Sequence, residues 1–359
     1  MQRIAIKIGS NVLTGKDGKL DMKRIANIVG QVIDIRKHGI EVMLISSGAV
    51  AAGRSFINPE HKTDEISLRQ LWASIGQIKL MNIYSDLFEK QNLMCSQVLV
   101  TKEDFRTRRH YLNMQNCLHA LLQNHVIPII NENDVVSVNE LMFTDNDELA
   151  GLISSMMNVE MLFILSNIDG IYDGNPEDNN SKLIPVIEKN LANVSNFIST
   201  KKSNFGRGGM ITKYNIARKV ANSGVTVYIV NGTKDNILID ILKDDKKIPN
   251  TKFLPSVKKE KSNVKKWISI SEGFAKGEVF VNKGAKEALL SSKASSLLLI
   301  GVTKIKGNFK NGDIIKIFDD EKNMIGCGKA QYDAESAIRN IGKKDIRPLV
   351  HYDYLFLNN

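Results

Sequence analysis

Alternation of strand and helix signals constrains this 359-residue chain more than any other feature. Six short apolar runs stand at IAIKI (4–8), EVMLIS (41–46), MCSQVLV (94–100), IPII (127–130), EMLFILS (160–166) and VTVYIV (225–230). Helical spacing lies between several of them. Asp21 can cap a helix whose apolar positions are Ile25, Ile28, Val29, Val32 and Ile33, and Gly39 ends it. Further helical patterns cover about 66–90, 110–124 and 208–223. Strands alternating with helices predict an α/β fold, a mainly parallel sheet sandwiched by helices. The pattern stops near Asp240. The segment from 243 to 267 is charged, carries Pro249 and Pro255 and has no apolar periodicity, which is a linker composition. Beyond it, WISISE, GEVFVN, SSLLLIGVTKIKG and GDIIKIFD read as the short strands of a small C-terminal β-barrel. The expected organisation is a domain over 1–243, a linker over 244–265 and a second domain over 266–359, in keeping with a chain too long for one ordinary core.

Composition narrows the function classes. Hydrophobic content of 43% and charged content of 25% suit a globular chain. No window approaches the ~18 apolar residues a membrane helix requires, and QRIAIKIGS has no apolar signal core. Cys95, Cys117 and Cys327 are distant and odd in number, which argues against a disulfide framework or zinc cluster and favours the cytoplasm. The six histidines show no metal-ligand spacing. Of the net charge of +10, residues 261–359 carry +6, from 17 Lys+Arg against 11 Asp+Glu. A basic tail fits RNA binding or a solvated lysine-rich surface, and the lack of interleaved aromatics favours the surface.

Four strand ends finish in glycine or small polar residues: Lys7-Ile8-Gly9-Ser10, Ser46-Ser47-Gly48, Asn131-Glu132-Asn133-Asp134 and Ser166-Asn167. A parallel sheet brings such ends to one edge, where open α/β folds bind ligands. The cluster Asp145-Asn146-Asp147-Glu148 opens a further helical pattern. Turns and caps also favour Asn and Asp, so that cluster alone does not require a ligand. GRGGMITK (206–213) lies at a helix start, where backbone N–H groups favour anions, and Lys7 and Lys213 would add positive charge. Together these are the parts of a phosphate site. A P-loop is excluded by five residues between Gly9 and Gly15 and by Asp17 after Lys16; a GxGxxG fingerprint is excluded by Ile211.

With KIGSNVLT (7–14), ISSGAVAAGR (45–54), ASIGQ (73–77), INENDVV (130–136), TDNDELA (144–150) and GRGGMITK in this order, the chain resembles the amino-acid kinase family, in its branch that phosphorylates the side-chain carboxylate of L-glutamate. The tail from about Trp267 resembles a PUA domain. The resemblance implies the first step of proline biosynthesis, with ATP and Mg²⁺ as cofactors and the metal carried mainly by ATP phosphates. It implies catalytic roles for Lys7, Lys213 and Asp147, and glutamate binding by Ser47, Gly48, Asp134 and Asn146. ATP would meet Lys7, Gly9, Ser166, Asn167, Arg207, Gly208, Gly209, Met210, Ile211, Thr212 and Lys213. Asn167 and Arg207 depart from the family's common Asp and Thr. The resemblance further implies feedback inhibition by proline, with Ser137–Phe143 as the sensing loop, a dimer or tetramer, and hand-off of product to glutamyl phosphate reductase. Kinases of acetylglutamate or aspartate share the fold and are the alternatives, as is RNA binding by the tail.

Overall fold

The structure is a computed structural model that describes residues 2–59, 61–137, 143, 145–178, 180–188, 209–256, 263–291 and 295–357. Arg207, Gly208 and most of the 137–143 loop lie outside these residues. The chain divides into two units, 1–104 with 112–258 and 105–111 with 259–359.

In the first unit the six apolar runs become β1 (Arg3–Ile8), β2 (Glu41–Ser46), β3 (Cys95–Val100), β4 (Ile127–Glu132), β5 (Met161–Ser166) and β7 (Thr226–Asn231), and two short strands that no run announced, β6 (Val186–Ile187) and β8 (Thr251–Phe253), join them. They form one eight-stranded sheet in the order β3-β4-β2-β1-β5-β7-β8-β6. All pairings are parallel except β7 with β8. Thr251–Phe253 falls in the stretch the sequence assigns to a linker. Three residues are too few to show periodicity, and it is the pairing of Val227 with Phe253 and Ile229 with Thr251 that makes them a strand. The helices of this part of the chain are α1 (Ser10–Leu13), α2 (Met22–Lys37), α3 (Ala49–Arg54), α4 (Glu65–Glu89), α5 (Glu103–Arg106), α6 (Arg108–Gln123), α7 (Asn146–Met157), α8 (Met210–Asn222) and α9 (Ile237–Asp244). Asp21 caps α2 by accepting from the Arg24 amide, and Ile25, Ile28, Val29 and Val32 bury one face of that helix. That face joins Ile4, Ile6 and Ile8 of β1, Val42 and Leu44 of β2 and Phe163 of β5 in one core.

Register decides where the loops meet. Ile8 lies beside both Ser46 and Leu165, Val100 beside Glu132, and Ser166 beside Asn231. The strand ends that carry Gly9, Ser47, Asn133 and Asn167 therefore share one edge. Strands β2, β4 and β3 lie on one side of β1, and β5 and β7 on the other, so the edge includes a topological switch point.

Two glycines set how closely α3 approaches α4. A Cβ on Gly76 would stand 1.8 Å from the Ala49 carbonyl oxygen, and one on Gly53 1.9 Å from that of Trp72. The obstacles are backbone, so the helices would have to separate. Gly76→Ala is expected to destabilise the chain by at least about 1–3 kcal/mol. Because α3 begins directly after Ser47 and Gly48, the same change should disturb that loop. An unchanged melting temperature would contradict the close approach.

The second unit contains α10 (Asn263–Ile270), β9 (Gly277–Val281), α11 (Lys283–Leu290), β10 (Val302–Gly307), β11 (Ile314–Phe318), β12 (Met324–Lys329), α12 (Ala334–Arg339) and β13 (Leu355–Leu357). Its sheet runs β10-β9-β11-β12-β13, antiparallel apart from β9 with β11. WISISE was expected to be a strand, but its first residues lie in α10. Val264, Trp267 and Ile268 also have i, i+3, i+4 spacing, and Trp267 and Ile268 are buried. The Trp267 indole N–H and the Ser271 hydroxyl both donate to the Phe105 carbonyl, at 3.1 and 3.3 Å.

Candidate active site

A cleft of about 1030 Å³ opens at the strand-end edge of the first unit. Its size suits two small ligands side by side. At its floor Asp147, fully buried in the first turn of α7, joins two lysines. Lys7 Nζ lies 2.6 Å from Asp147 Oδ1, and Lys213 Nζ donates to Oδ2. Lys7 comes from the end of β1 and Lys213 from the first turn of α8, so sheet and helices together assemble the centre. Asp145 precedes α7 and caps it, one carboxylate oxygen accepting from the Asp147 amide at 2.9 Å and the Glu148 amide at 3.1 Å. This cap fixes the start of α7, the turn in which Asp147 stands.

The charges are strongly coupled. Burial would raise the Asp147 pKa, but Lys7 and Lys213 overcome it and hold the carboxyl well below the ordinary range. Burial lowers Lys7, with Asp147 acting against that fall. For Lys213 the attraction of Asp147 outweighs burial and raises the pKa. Asp145 is pushed up to about 6, first by burial and then by the Asp147 charge.

Beside this centre an amide network joins three elements. Asn146 Nδ2 donates to the Ser46 carbonyl at 3.1 Å and to Ser47 Oγ and Asn131 Oδ1 at 3.0 Å. Asn131 Nδ2 in turn donates to Gln77 Oε1 at 3.0 Å. Gly48 has φ of 103°, a left-handed conformation that glycine adopts without strain, and it starts α3. Asp134 is buried and pairs with Arg69 of α4 at 2.5 Å. Gly9, Ser166, Asn167, Gly209 and Met210 line the other part of the cleft. Gly209 stands before α8 and lines the cleft, which places the backbone N–H groups of that helix start beside it, where an anion is favoured. Ile211 and Thr212 belong to the first turn of α8 but do not line the cleft.

The structure thus gathers Lys7, Gly9, Ser47, Gly48, Asp134, Asn146, Ser166, Asn167, Gly209, Met210 and Lys213 around one space, with Asp147 just beneath. The sequence did not single out Arg69, and it contained Gln77 only as the last residue of the ASIGQ motif, with no role attached. Both lie on α4, about 60 residues from the polar clusters they touch.

Glu132 has a separate consequence. It is buried and accepts from the Phe143 amide at 2.8 Å. Burial pushes its carboxyl from 4.5 up to about 7; Asp134 adds to this, while the Phe143 amide, Arg69 and Lys102 oppose it. A raised folded-state pKa means the folded chain holds the proton more tightly than the unfolded one. The resulting stability is complete below about pH 4.5 and is lost as pH rises toward about 7. Glu132→Gln keeps an acceptor and removes the titration. Its melting temperature relative to the parent should therefore rise from pH 5 to pH 8, by the equivalent of ~3 kcal/mol. Parallel pH curves would show that Glu132 does not titrate there.

Residues 2–231 match the Amino acid kinase family, and residues 277–351 match the PUA domain. Glutamate 5-kinase of Bacteroides thetaiotaomicron is 53% identical to this chain, over 99% of it and 98% of that protein. The glutamate 5-kinase of Chlorobaculum tepidum is 46% identical over 99% and 97%. Among solved structures, carbamate kinase from Giardia lamblia bound to AMP-PNP matches with a TM-score of 0.52 and 16% identity, covering 71% of this chain and 99% of that one, a likeness of fold. The chain belongs to the glutamate 5-kinase branch of the amino acid kinase family. Among the described residues no helix is long and apolar enough to cross a membrane, and no group of three His, Cys, Asp or Glu is placed to hold a metal ion.

Proposed function

We propose that the chain transfers the γ-phosphoryl of ATP to the side-chain carboxylate of L-glutamate, and that Lys7, Asp147 and Lys213 form its transfer centre. The observation that carries this reading is the pair of lysines held on one buried carboxylate at the strand-end edge. The glutamate γ-carboxylate has pKa ~4.3 and is already ionised at neutral pH, so it needs no general base. The difficulty is electrostatic, because a carboxylate must approach a polyanion. Lys7 and Lys213 offset that repulsion and stabilise charge on the transferring group during in-line displacement. Asp147 keeps the two lysines apart and aimed.

Ser47, Gly48, Asp134 and Asn146 hold the acceptor, with Asn146 standing between it and the lysines. Gly9, Ser166, Asn167 and the 207–213 segment receive ATP, the start of α8 facing its phosphates. Mg²⁺ enters as part of the MgATP substrate. Proline as feedback inhibitor, a dimer or tetramer, and delivery of the product to glutamyl phosphate reductase belong to the same reading and rest on family resemblance.

A hydroxamate assay with MgATP and a panel of L-glutamate, N-acetylglutamate and aspartate tests the assignment. Glutamate should be turned over at least an order of magnitude more efficiently than the others. Activity with another acceptor and none with glutamate would overturn it.

A further inference from the structure

We propose that Arg69 is a specificity-determining residue for the acceptor: its guanidinium orients Asp134 and supplies the cation that meets the α-carboxylate of the amino acid. The proposal rests on the glutamate reading above. If the γ-carboxylate faces Lys7 and Lys213, the other end of the acceptor carries an ammonium and a carboxylate together. Recognising that end calls for one anion and one cation side by side.

Arg69 and Asp134 provide that pair in the cleft wall. Arg69 Nη2 lies 2.5 Å from Asp134 Oδ1, and both residues line the cleft. The Arg69 side chain keeps 32% of its exposure, whereas that of Asp134 keeps 9%. The pair is therefore buried at the carboxylate and partly exposed along the Arg69 side chain. A guanidinium has five N–H donors, of which Asp134 takes one, and Arg69 Nε is buried without a hydrogen-bond partner among the described residues. A planar donor fork of this kind suits a carboxylate. The other arginines of the cleft wall are placed differently: Arg24 donates to the Val12 carbonyl and pairs with Asp21, and Arg54 lies over the Trp72 ring at 4.5 Å. Next to Arg69, Gln70 donates to the Val135 carbonyl, so α4 also holds the backbone beside Asp134.

The rival account is that Arg69 merely ties the Asp134 loop to α4. Trimmed acceptors separate the two. 4-Aminobutyrate is glutamate without its α-carboxylate, and glutarate lacks the α-ammonium. The full-length chain, Arg69→Met and Arg69→Lys are assayed with MgATP and each acceptor, by turnover or, where turnover is too slow, by competition against glutamate. Loss of a charge-assisted hydrogen bond should lower kcat/KM for glutamate about 10–100-fold in Arg69→Met, mainly through KM, with the KM for ATP unchanged. 4-Aminobutyrate should change by only a few-fold, so the preference for glutamate over it collapses. Arg69→Lys should recover part of that preference. Equal losses for both acceptors, or an intact preference in Arg69→Met, would overturn the proposal. If Arg69→Met is inactive on every acceptor, Arg69→Lys decides: equal losses on both acceptors overturn the proposal, and a clearly larger loss on glutamate than on 4-aminobutyrate supports it. A parent chain that uses none of the three acceptors would instead defeat the functional reading itself.

Discussion

Lys213→Ala is expected to lower turnover by about 100–1000-fold and to leave the chain folded, the usual loss when one preorganised donor is taken from a developing negative charge. Lys213 contributes from a helix start in the cleft wall, and its partner Asp147 keeps Lys7 at 2.6 Å after the substitution. The buried carboxylate is therefore not stranded, and the melting temperature should move little. Lys7→Ala should behave alike in turnover. It is more deeply buried, at 4% exposure, so its removal also leaves a space beneath Gly9. Steady-state kinetics on both variants, with the KM for each substrate measured separately, provides the check. Turnover within a few-fold of the parent in either variant would remove that lysine from the mechanism.

Asp147→Asn should be the more damaging change overall. The residue is completely buried and is the shared partner of both lysines. Its neutral replacement leaves two ammonium groups facing each other with only the more distant Asp145 as counter-charge. Breaking a buried pair from one side typically costs about 3–5 kcal/mol. Lys7 is already lowered by burial, and both lysines depend on Asp147 to stay charged. In Asp147→Asn both should lose protons more readily, so the residual activity should fall as pH rises through a range where the parent is steady. The measurement is a melting curve together with a pH–rate profile. Unchanged stability and an unchanged profile would show that the carboxylate does not organise the lysines.

Much of this was legible in the chain itself. Apolar runs of four to seven residues with helical spacing between them carry the parallel sheet, because period and length are local properties. The polar residues at the strand ends were legible for the same reason. Gly9, Ser47 and Asn167 are each ordinary turn residues, and it is their recurrence at several strand ends, together with two lysines, that pointed to a used edge. Local pattern also misleads where two periods coincide. WISISE alternates, yet Val264, Trp267 and Ile268 fit a helix equally well, and burial of one helical face decided the matter. Thr251–Phe253 had no pattern long enough to read.

By itself the sequence determined the elements, their order and the chemical character of the loops that end them, since these follow from spacing and side-chain type along a few neighbouring residues. Only the tertiary structure decided which side chains share a charge. Lys7, Asp147 and Lys213 are separated by 140 and 66 positions, and they meet because parallel register brings β1 to the same edge as the starts of α7 and α8. Arg69 reaches Asp134 across 65 positions for a similar reason: glycines let α3 approach α4 closely enough to hold that helix against the edge. Contacts between residues so distant in the chain depend on packing, which no local pattern encodes.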